Sequence, residues 1–478
     1  LSNDSEIFSG RGYFWLAGEV EQMTMASATR ATLTITGRGK IELKLDQDER
    51  TWSDSSDTLA VLQSNKFQIF GRLVDSNQYV RLERAFVSNE RFAGPLGKTV
   101  TQISAFICLI SAHTTQDLGS CRRVNTIRIP LGPLRAWVDH PMPSYDKAEN
   151  GFVVHYAAEP RFEFTLTLGQ LAVATVSTAH ASSIDRWLTV TQQAWIEFNL
   201  TDPVDLEKAA QLYFDIEDLL ILLTNYECTF DWPVMRFPGV DLDCTVYCTR
   251  RRPVESTFSA IECWLLFSHI REGFGAVVQQ WLDLREEFGP AFHLYLGTRR
   301  GVDLYEEHRF VNLIWGLEAF HRHTTQSADN TRIEAKIARI IGGLDPNLTA
   351  RDRKWLNGVL ERALEPSLAD RLFAIFSELP LRLTEERVRA FAKQCADRRN
   401  DISHRGGPAQ REDYGAFVLE LHHFADALNH IYHAAILLRL GISCQQIEHI
   451  FFDQPSSFYI CHSLKDAGLQ SDVASTPA

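Results

Sequence analysis

The chain has 478 residues, 45% hydrophobic and 23% charged, with a formal net charge of −13. At roughly 150 residues per domain this predicts about three domains, and the composition excludes wholesale disorder and collagen-like repeats. No apolar run approaches the ~20 residues that cross a bilayer, so no membrane partner is expected, and the acidic balance argues against a protein that coats nucleic acid indiscriminately, though not against one local basic site.

Leu1 to Arg11 is polar, with no basic flank ahead of an apolar stretch, which argues against a secretory signal there. Residues 1–200 read as β-rich. Stretches enriched in β-branched and aromatic residues cover Ala31 to Thr36, Lys40 to Leu45, Phe67 to Leu73, Tyr79 to Phe86, Phe152 to Ala157, Phe162 to Leu168 and Trp195 to Leu200. Turn residues separate them, as at Gly37-Arg38-Gly39 and Asp75-Ser76-Asn77, and the spacing predicts a sandwich or a curled antiparallel sheet. Residues 201–301 form a mixed connector, part of the N-terminal region. It holds a helix over Val204 to Tyr226, a β-like insert from Cys228 to Cys248 and a helix over Gly275 to Glu287. From 302 to 455 the pattern is all-helical, with helices near 303–326, 331–342, 349–363, 367–377, 384–403, 411–440 and 444–451. Residues 456–478 read as a tail. The predicted fold class is α+β, a β-rich N-terminal domain followed by an all-α bundle.

Nine cysteines are scattered without a CxxC pair. Cys244 and Cys248 stand closest, with no second pair downstream, so no zinc site is expected and the usage fits reduced thiols in a cytoplasm. Glu318, His321 and His323 do not share a helix face, which disfavours a metal there. P-loop, dinucleotide and Gly-x-Ser-x-Gly signatures are absent, and no cofactor is expected.

The most informative stretch is Arg398-Arg399-Asn400-Asp401-Ile402-Ser403-His404-Arg405. Arg is a permanent cation suited to a phosphoryl transition state, and His is suited to proton transfer near neutrality. Together they can cleave RNA without a metal: His404 takes the proton of a 2′-hydroxyl, and Arg399 holds the phosphoryl oxygens. The RNA supplies the nucleophile, so DNA would be a non-substrate. On a helix, Arg399 and His404 lie about 140° apart, whereas Asn400 and His404 share a face at i and i+4. Asn400 is therefore a candidate to fix the imidazole tautomer. One motif supplies one His, so two-proton chemistry favours a homodimer or another even-numbered oligomer. The spacing alone carries no weight, because Arg135 and His140 repeat it among prolines. Context separates Arg399: the following Asn, a helical domain, the Gly406-Gly407-Pro408 stop and a long helix beyond. Between Arg382 and Arg411 eight basic residues face four acidic ones. Of these, Arg398, Arg405 and Lys393 are candidate RNA contacts, and Asp401 is a supporting acid.

A C-terminal helical domain carrying Arg-Asn-x-x-x-His resembles the HEPN superfamily of ribonucleases. The lead-in Glu306-Glu307-His308-Arg309-Phe310 with Leu317-Glu318, the turn at Gly406 and the closing helix through Ala434 to Ile442 resemble the ApeA-like HEPN domain of anti-phage defence proteins. The β-rich half is similar to that family's N-terminal domain. The resemblance implies an all-α HEPN bundle and metal-independent RNA cleavage with tRNA as target. It implies a toxin held quiet until infection, which then halts translation, and dimers that pair two Arg/His motifs across a cleft. Carried over, the catalytic positions are Arg399, Asn400 and His404.

Glu318 falls on the helix face of Leu304, Val311 and Trp315, and a carboxylate on an apolar face needs a partner. Arg399 is one candidate, which would place Glu318 at the cleft; Arg322 at i+4 is the other. His422, His423, His430 and His433 lie on the last long helix, where His423 and His430 share a face, and all four read as surface or interface residues. Two non-catalytic readings stay open. In one, a HEPN-fold module binds RNA or a phage protein. In the other, a receptor for a phage-derived trigger has its main business in residues 1–300.

Overall fold

The computed structural model describes residues 5–16, 28–46, 67–92, 98–111, 118–120, 122–138, 144–148, 151–155, 161–182, 187–227, 229–250, 258–299, 304–324, 331–343, 349–362, 365–408 and 413–470. Cys121, His140, Cys228 and the end of the predicted tail lie outside them. Two compact units divide the chain, Leu1–Gln279 and Gln280–Ala478.

The first unit is antiparallel β. Its strands are β1 (Glu6–Leu16), β2 (Thr29–Thr36), β3 (Ile41–Leu45), β4 (Phe67–Leu73), β5 (Tyr79–Phe92), β6 (Lys98–Ala105), β7 (Ile107–Ser111), β8 (Arg123–Pro130), β9 (Ser144–Ala148), β10 (Gly151–His155), β11 (Phe162–Leu166), β12 (Gly169–Ser182), β13 (Trp187–Asp205), β14 (Val234–Phe237) and β15 (Val240–Cys248). Thirteen form one sheet in the order β11-β12-β13-β8-β14-β15-β7-β5-β4-β1-β2-β3-β6, and a further β5–β6 pairing closes β1 to β6 into a six-stranded barrel. Of the two predicted forms, the structure takes the curled sheet. Alternation drives it: in β2 every second residue, including Ala31, Leu33 and Ile35, points into a core shared with Phe14, Leu43, Ile69, Leu82 and Ile103. At Gly71 a Cβ would come within 2.4 Å of the Phe14 ring, so only glycine lets that aromatic fill the barrel.

Helix α1 (Leu206–Thr224) starts where Asp205 accepts the Lys208 amide at 2.8 Å, and it buries Tyr213, Ile216 and Leu219 to Leu223. A short α2 (Phe267–Ile270) follows. The connector expected over 201–301 thus splits, with its sheet strands and α1 inside the first unit. The unit boundary falls within α3 (Phe274–Glu287). Beyond it α4 (Gly289–Arg299) packs in the helical unit, with Tyr295 5.0 Å from Tyr432 and Ala291 accepting the Tyr432 hydroxyl at 2.9 Å. The helical unit therefore begins before residue 302. Gly289-Pro290 reads as a breaker, yet proline is tolerated in a first turn, where its missing N–H costs nothing.

The remaining helices are α5 (Glu306–Thr324), α6 (Thr331–Gly342), α7 (Ala350–Arg362), α8 (Leu368–Ser377), α9 (Glu385–Arg405), α10 (Tyr414–Arg439), α11 (Cys444–Phe452) and α12 (Ser457–Asp466). Their order agrees with the sequence reading. The exception is α12, which falls in the predicted tail. Ile460 and Leu464, with Leu469 beyond, are buried there, so this stretch is part of the core. No helix among the described residues is long and apolar enough to cross a membrane. Cys108, Cys244, Cys248, Cys263 and Cys395 are buried free thiols, and burial pushes the Cys248 and Cys263 thiols up to about 12.

Candidate active site

Helix α9 carries the Arg-Asn-x-x-x-His stretch. It begins at Thr384, whose hydroxyl caps the Arg387 amide, with Glu385 and Glu386 in the first turn favouring the positive helix end. It ends at Gly406, which adopts a left-handed conformation (φ 72°) and donates its amide to Ile402 at 3.0 Å. Its core-facing stripe is Val388, Phe391, Ala392, Cys395 and Ala396. Arg399 is the next position on that stripe, three residues beyond Ala396. A permanent cation thus continues an apolar face, and its side chain is only 25% exposed.

Such a cation needs a counter-charge. Glu318 of α5 supplies it, 3.6 Å from Arg399 and 3.0 Å from Arg322. Both partners considered from sequence are therefore present on one carboxylate. The Arg399 Nη1 also donates to the Asn400 Oδ1 at 3.3 Å, while its buried Nε meets no acceptor among the described residues. His404 lies off the stripe, exposed in the last turn of α9, and makes no hydrogen bond or ion pair among the described residues. Asn400 is exposed one turn before it, and no hydrogen bond joins the two there. The arrangement pairs a held cation with a free imidazole.

The neighbouring charges divide. Arg398 is committed inside the domain: it lies 2.5 Å from Glu420 of α10 and 3.5 Å from Asp401, with its guanidinium 5.3 Å from the Phe417 ring. Asp401 also accepts from Arg405 at 2.9 Å. Arg405 and Lys393 are outward, 62% and 75% exposed, and Lys393 stands 3.6 Å from Asp397. All three expected RNA contacts pair with a carboxylate, but Arg398 is the one held half-buried, against another helix, while Arg405 and Lys393 stay exposed. Glu420 escaped the sequence reading because its partner sits 22 positions away on another helix, and no local spacing marks such a pair.

A second polar group joins α5 to α10. His422 lies 3.1 Å from Glu306 and 3.5 Å from Asp426, and Arg309 reaches the same carboxylates at 3.5 and 2.5 Å. The Tyr414 hydroxyl donates to Glu307. Of the histidines expected at a surface or interface, His433 is buried and His430 is half-buried. Burial with the nearby Arg299 cation pulls the His430 imidazole down to about 4, so it is neutral at pH 7. No group of three or more His, Cys, Asp or Glu among the described residues is placed to hold a metal ion.

The helical unit that carries Arg399 and His404 on one helix is the part of the chain that matches a HEPN domain. Residues 10–281 match ApeA N-terminal domain 1, and residues 311–446 match Apea-like HEPN. The chain belongs to the ApeA-like family of HEPN-containing defence proteins. Curated proteins and solved structures yield no match.

Proposed function

We propose that this protein is a metal-independent RNA endonuclease that cuts tRNA in the cytoplasm, acting as a toxin in anti-phage defence by abortive infection. The observation that carries the reading is the pair of states on α9, with Arg399 held by Glu318 and His404 unengaged among the described residues. His404 removes the proton of a 2′-hydroxyl, and the freed oxygen attacks the adjacent phosphorus. The P–O5′ bond breaks, leaving a 2′,3′-cyclic phosphate and a 5′-hydroxyl. Arg399 stabilises the charge that builds on the phosphoryl oxygens. The departing 5′-oxygen takes a proton from a second imidazole, which a homodimer formed through the HEPN domain supplies from the other copy of the motif. Asn400 orients the site with Asp401 in support, and Lys393 and Arg405 steer the polyanion. The N-terminal region binds the phage-derived trigger that releases the activity.

The test is incubation of purified protein with bulk tRNA in EDTA, beside Arg399→Ala and His404→Ala. Discrete fragments from wild type alone are expected; cleavage that EDTA abolishes would remove the mechanism. A second reading, a non-catalytic module that binds RNA or a phage protein, draws support from the compensation of Arg398 by Glu420 and Asp401. It predicts tRNA binding without fragments, and unaltered phage protection by both variants.

A further inference from the structure

Helices α6 and α7 are inserted between α5 and α8, and the motif's chemistry makes no use of them. Residues 331–362 hold seven basic and four acidic side chains, a charge of +3 in a chain of −13. Lys336 and Arg339 share a face of α6 and are exposed. On α7, Arg351, Lys354, Trp355 and Gly358 fall within an arc of about 100°. Arg351 and Lys354 are exposed, Trp355 is 67% exposed, and the space a Cβ would take at Gly358 is open to 4 Å. Leu356 and Leu360, turned to the other side of α7, are half-buried, while Ile340 and Val359, each at i+4 from Lys336 and Trp355, are exposed at 40%. The exposed face of α7 therefore combines two cations with one flat aromatic, and α6 adds two more exposed cations. Cations neutralise phosphates, and a rigid indole stacks on an unpaired base of any sequence.

In the chain, the α6–α7 segment is flanked by residues ion-paired towards Arg399. It leaves α5 just past Arg322 and rejoins the fold at Glu365. Arg322 stands 3.8 Å from Glu365 and 3.0 Å from Glu318, which in turn stands 3.6 Å from Arg399. Glu365 is pinned at 2.7 Å by Arg371 of α8, itself nearly buried. Arg322, ahead of α6 in the chain, and Glu365, after α7, thus belong to the ion-pair chain that holds Arg399.

We propose that α6 and α7 form a second RNA-holding surface that grips the backbone of a structured RNA and stacks an unpaired base on Trp355, while the α9 motif cuts. This rests on the ribonuclease reading. Lys336, Arg339, Arg351 and Lys354 contact phosphates, so the surface recognises RNA by charge and stacking and carries no base code.

The test measures binding of labelled bulk tRNA by full-length protein at several salt concentrations. The proteins are wild type, His404→Ala, Trp355→Ala, Trp355→Phe, and one variant combining Lys336→Glu, Arg339→Glu, Arg351→Glu and Lys354→Glu. A combined Gln version is the second choice if melting shows the Glu version unfolded. The combined variant should bind at least tenfold more weakly, with the slope of log affinity against log salt shallower by about 3. Trp355→Ala should lose roughly tenfold and Trp355→Phe much less. His404→Ala should bind as wild type does. Unchanged affinity and slope in the combined variant, with wild-type cleavage intact, would overturn the surface and leave the ribonuclease reading standing. So would unchanged tRNA affinity with loss of the oligomer by light scattering, or with loss of binding to phosphatidylglycerol vesicles. These would assign the pair to self-association or to lipid. Wild type that neither cuts nor binds tRNA would remove both readings.

Discussion

Glu318 stands between two arginines, 3.6 Å from Arg399 and 3.0 Å from Arg322, and so couples the motif helix α9 to α5. Because Arg399 continues an apolar stripe, its guanidinium depends on that carboxylate for orientation. On the proposed ribonuclease reading, Glu318 is a positioning residue. Glu318→Ala should lower kcat on tRNA about tenfold, roughly 1.4 kcal/mol, and leave KM nearly unchanged. Glu318→Gln keeps an acceptor and should recover part of the loss. A rise in KM with kcat unchanged would instead place Glu318 in substrate binding.

Arg398 and Glu420 make the closest cross-helix ion pair at the motif, 2.5 Å apart and 21% and 33% exposed. The pair is half-buried and charge-assisted, so Glu420→Ala should cost about 1–2 kcal/mol of stability. A double-mutant cycle with Arg398→Ala, read by urea denaturation, should return a coupling of about 1 kcal/mol. Zero coupling would mean that apolar contacts such as Phe391 on Phe424, and not this ion pair, hold α9 against α10.

Gly316 lies where α5 meets α10. A Cβ there would approach the Tyr432 ring to 2.8 Å and its hydroxyl oxygen to 2.9 Å, and Tyr432 is fully buried with its hydroxyl already donated to Ala291. Neither neighbour can give way cheaply. Gly316→Ala should destabilise the protein by about 2 kcal/mol through overpacking, despite alanine's better helix propensity. A melting temperature equal to wild type would contradict this.

His430 sets a pH dependence. Its folded pKa is depressed to about 4 by burial, with Arg299 and Arg309 opposing protonation and Asp426 favouring it. The unfolded imidazole titrates near ~6.5, so between those values the unfolded chain binds the additional proton. The contribution is complete above pH ~6.5 and is lost as pH falls towards 4, by roughly 3 kcal/mol in all. His430→Gln should therefore show a smaller drop in melting temperature between pH 7.5 and pH 5 than wild type. An equal drop would place the titration elsewhere.

The parts of the structure that were legible in the sequence are those governed by local spacing. Helix α9 declared itself by Val388, Phe391, Ala392, Cys395 and Ala396, and its end by Gly406. Strands such as β2 declared themselves by alternation. Glu318 was recognisable as a carboxylate in need of a partner, because its own face is largely apolar. What stayed hidden is non-local. The β3–β6 pairing in the barrel sets Ile41 against Ala105, distant segments whose register no short pattern encodes, and Glu420 meets Arg398 only after two helices pack. Helix α4 was masked by Gly289-Pro290 and Gly297, and α12 by the polar surroundings of its two core residues, Ile460 and Leu464. His430 and His433 looked like surface residues because a charged-type side chain on a long helix normally is one.

The most direct measurement is the chemistry of the cut ends. Bulk tRNA treated with wild type in EDTA should yield fragments ending in 2′,3′-cyclic phosphate opposite 5′-hydroxyl ends, with none from Arg399→Ala or His404→Ala. Fragments bearing 3′-hydroxyl and 5′-phosphate ends would show that water, not the RNA's own 2′-hydroxyl, attacks the phosphorus, and would contradict the account.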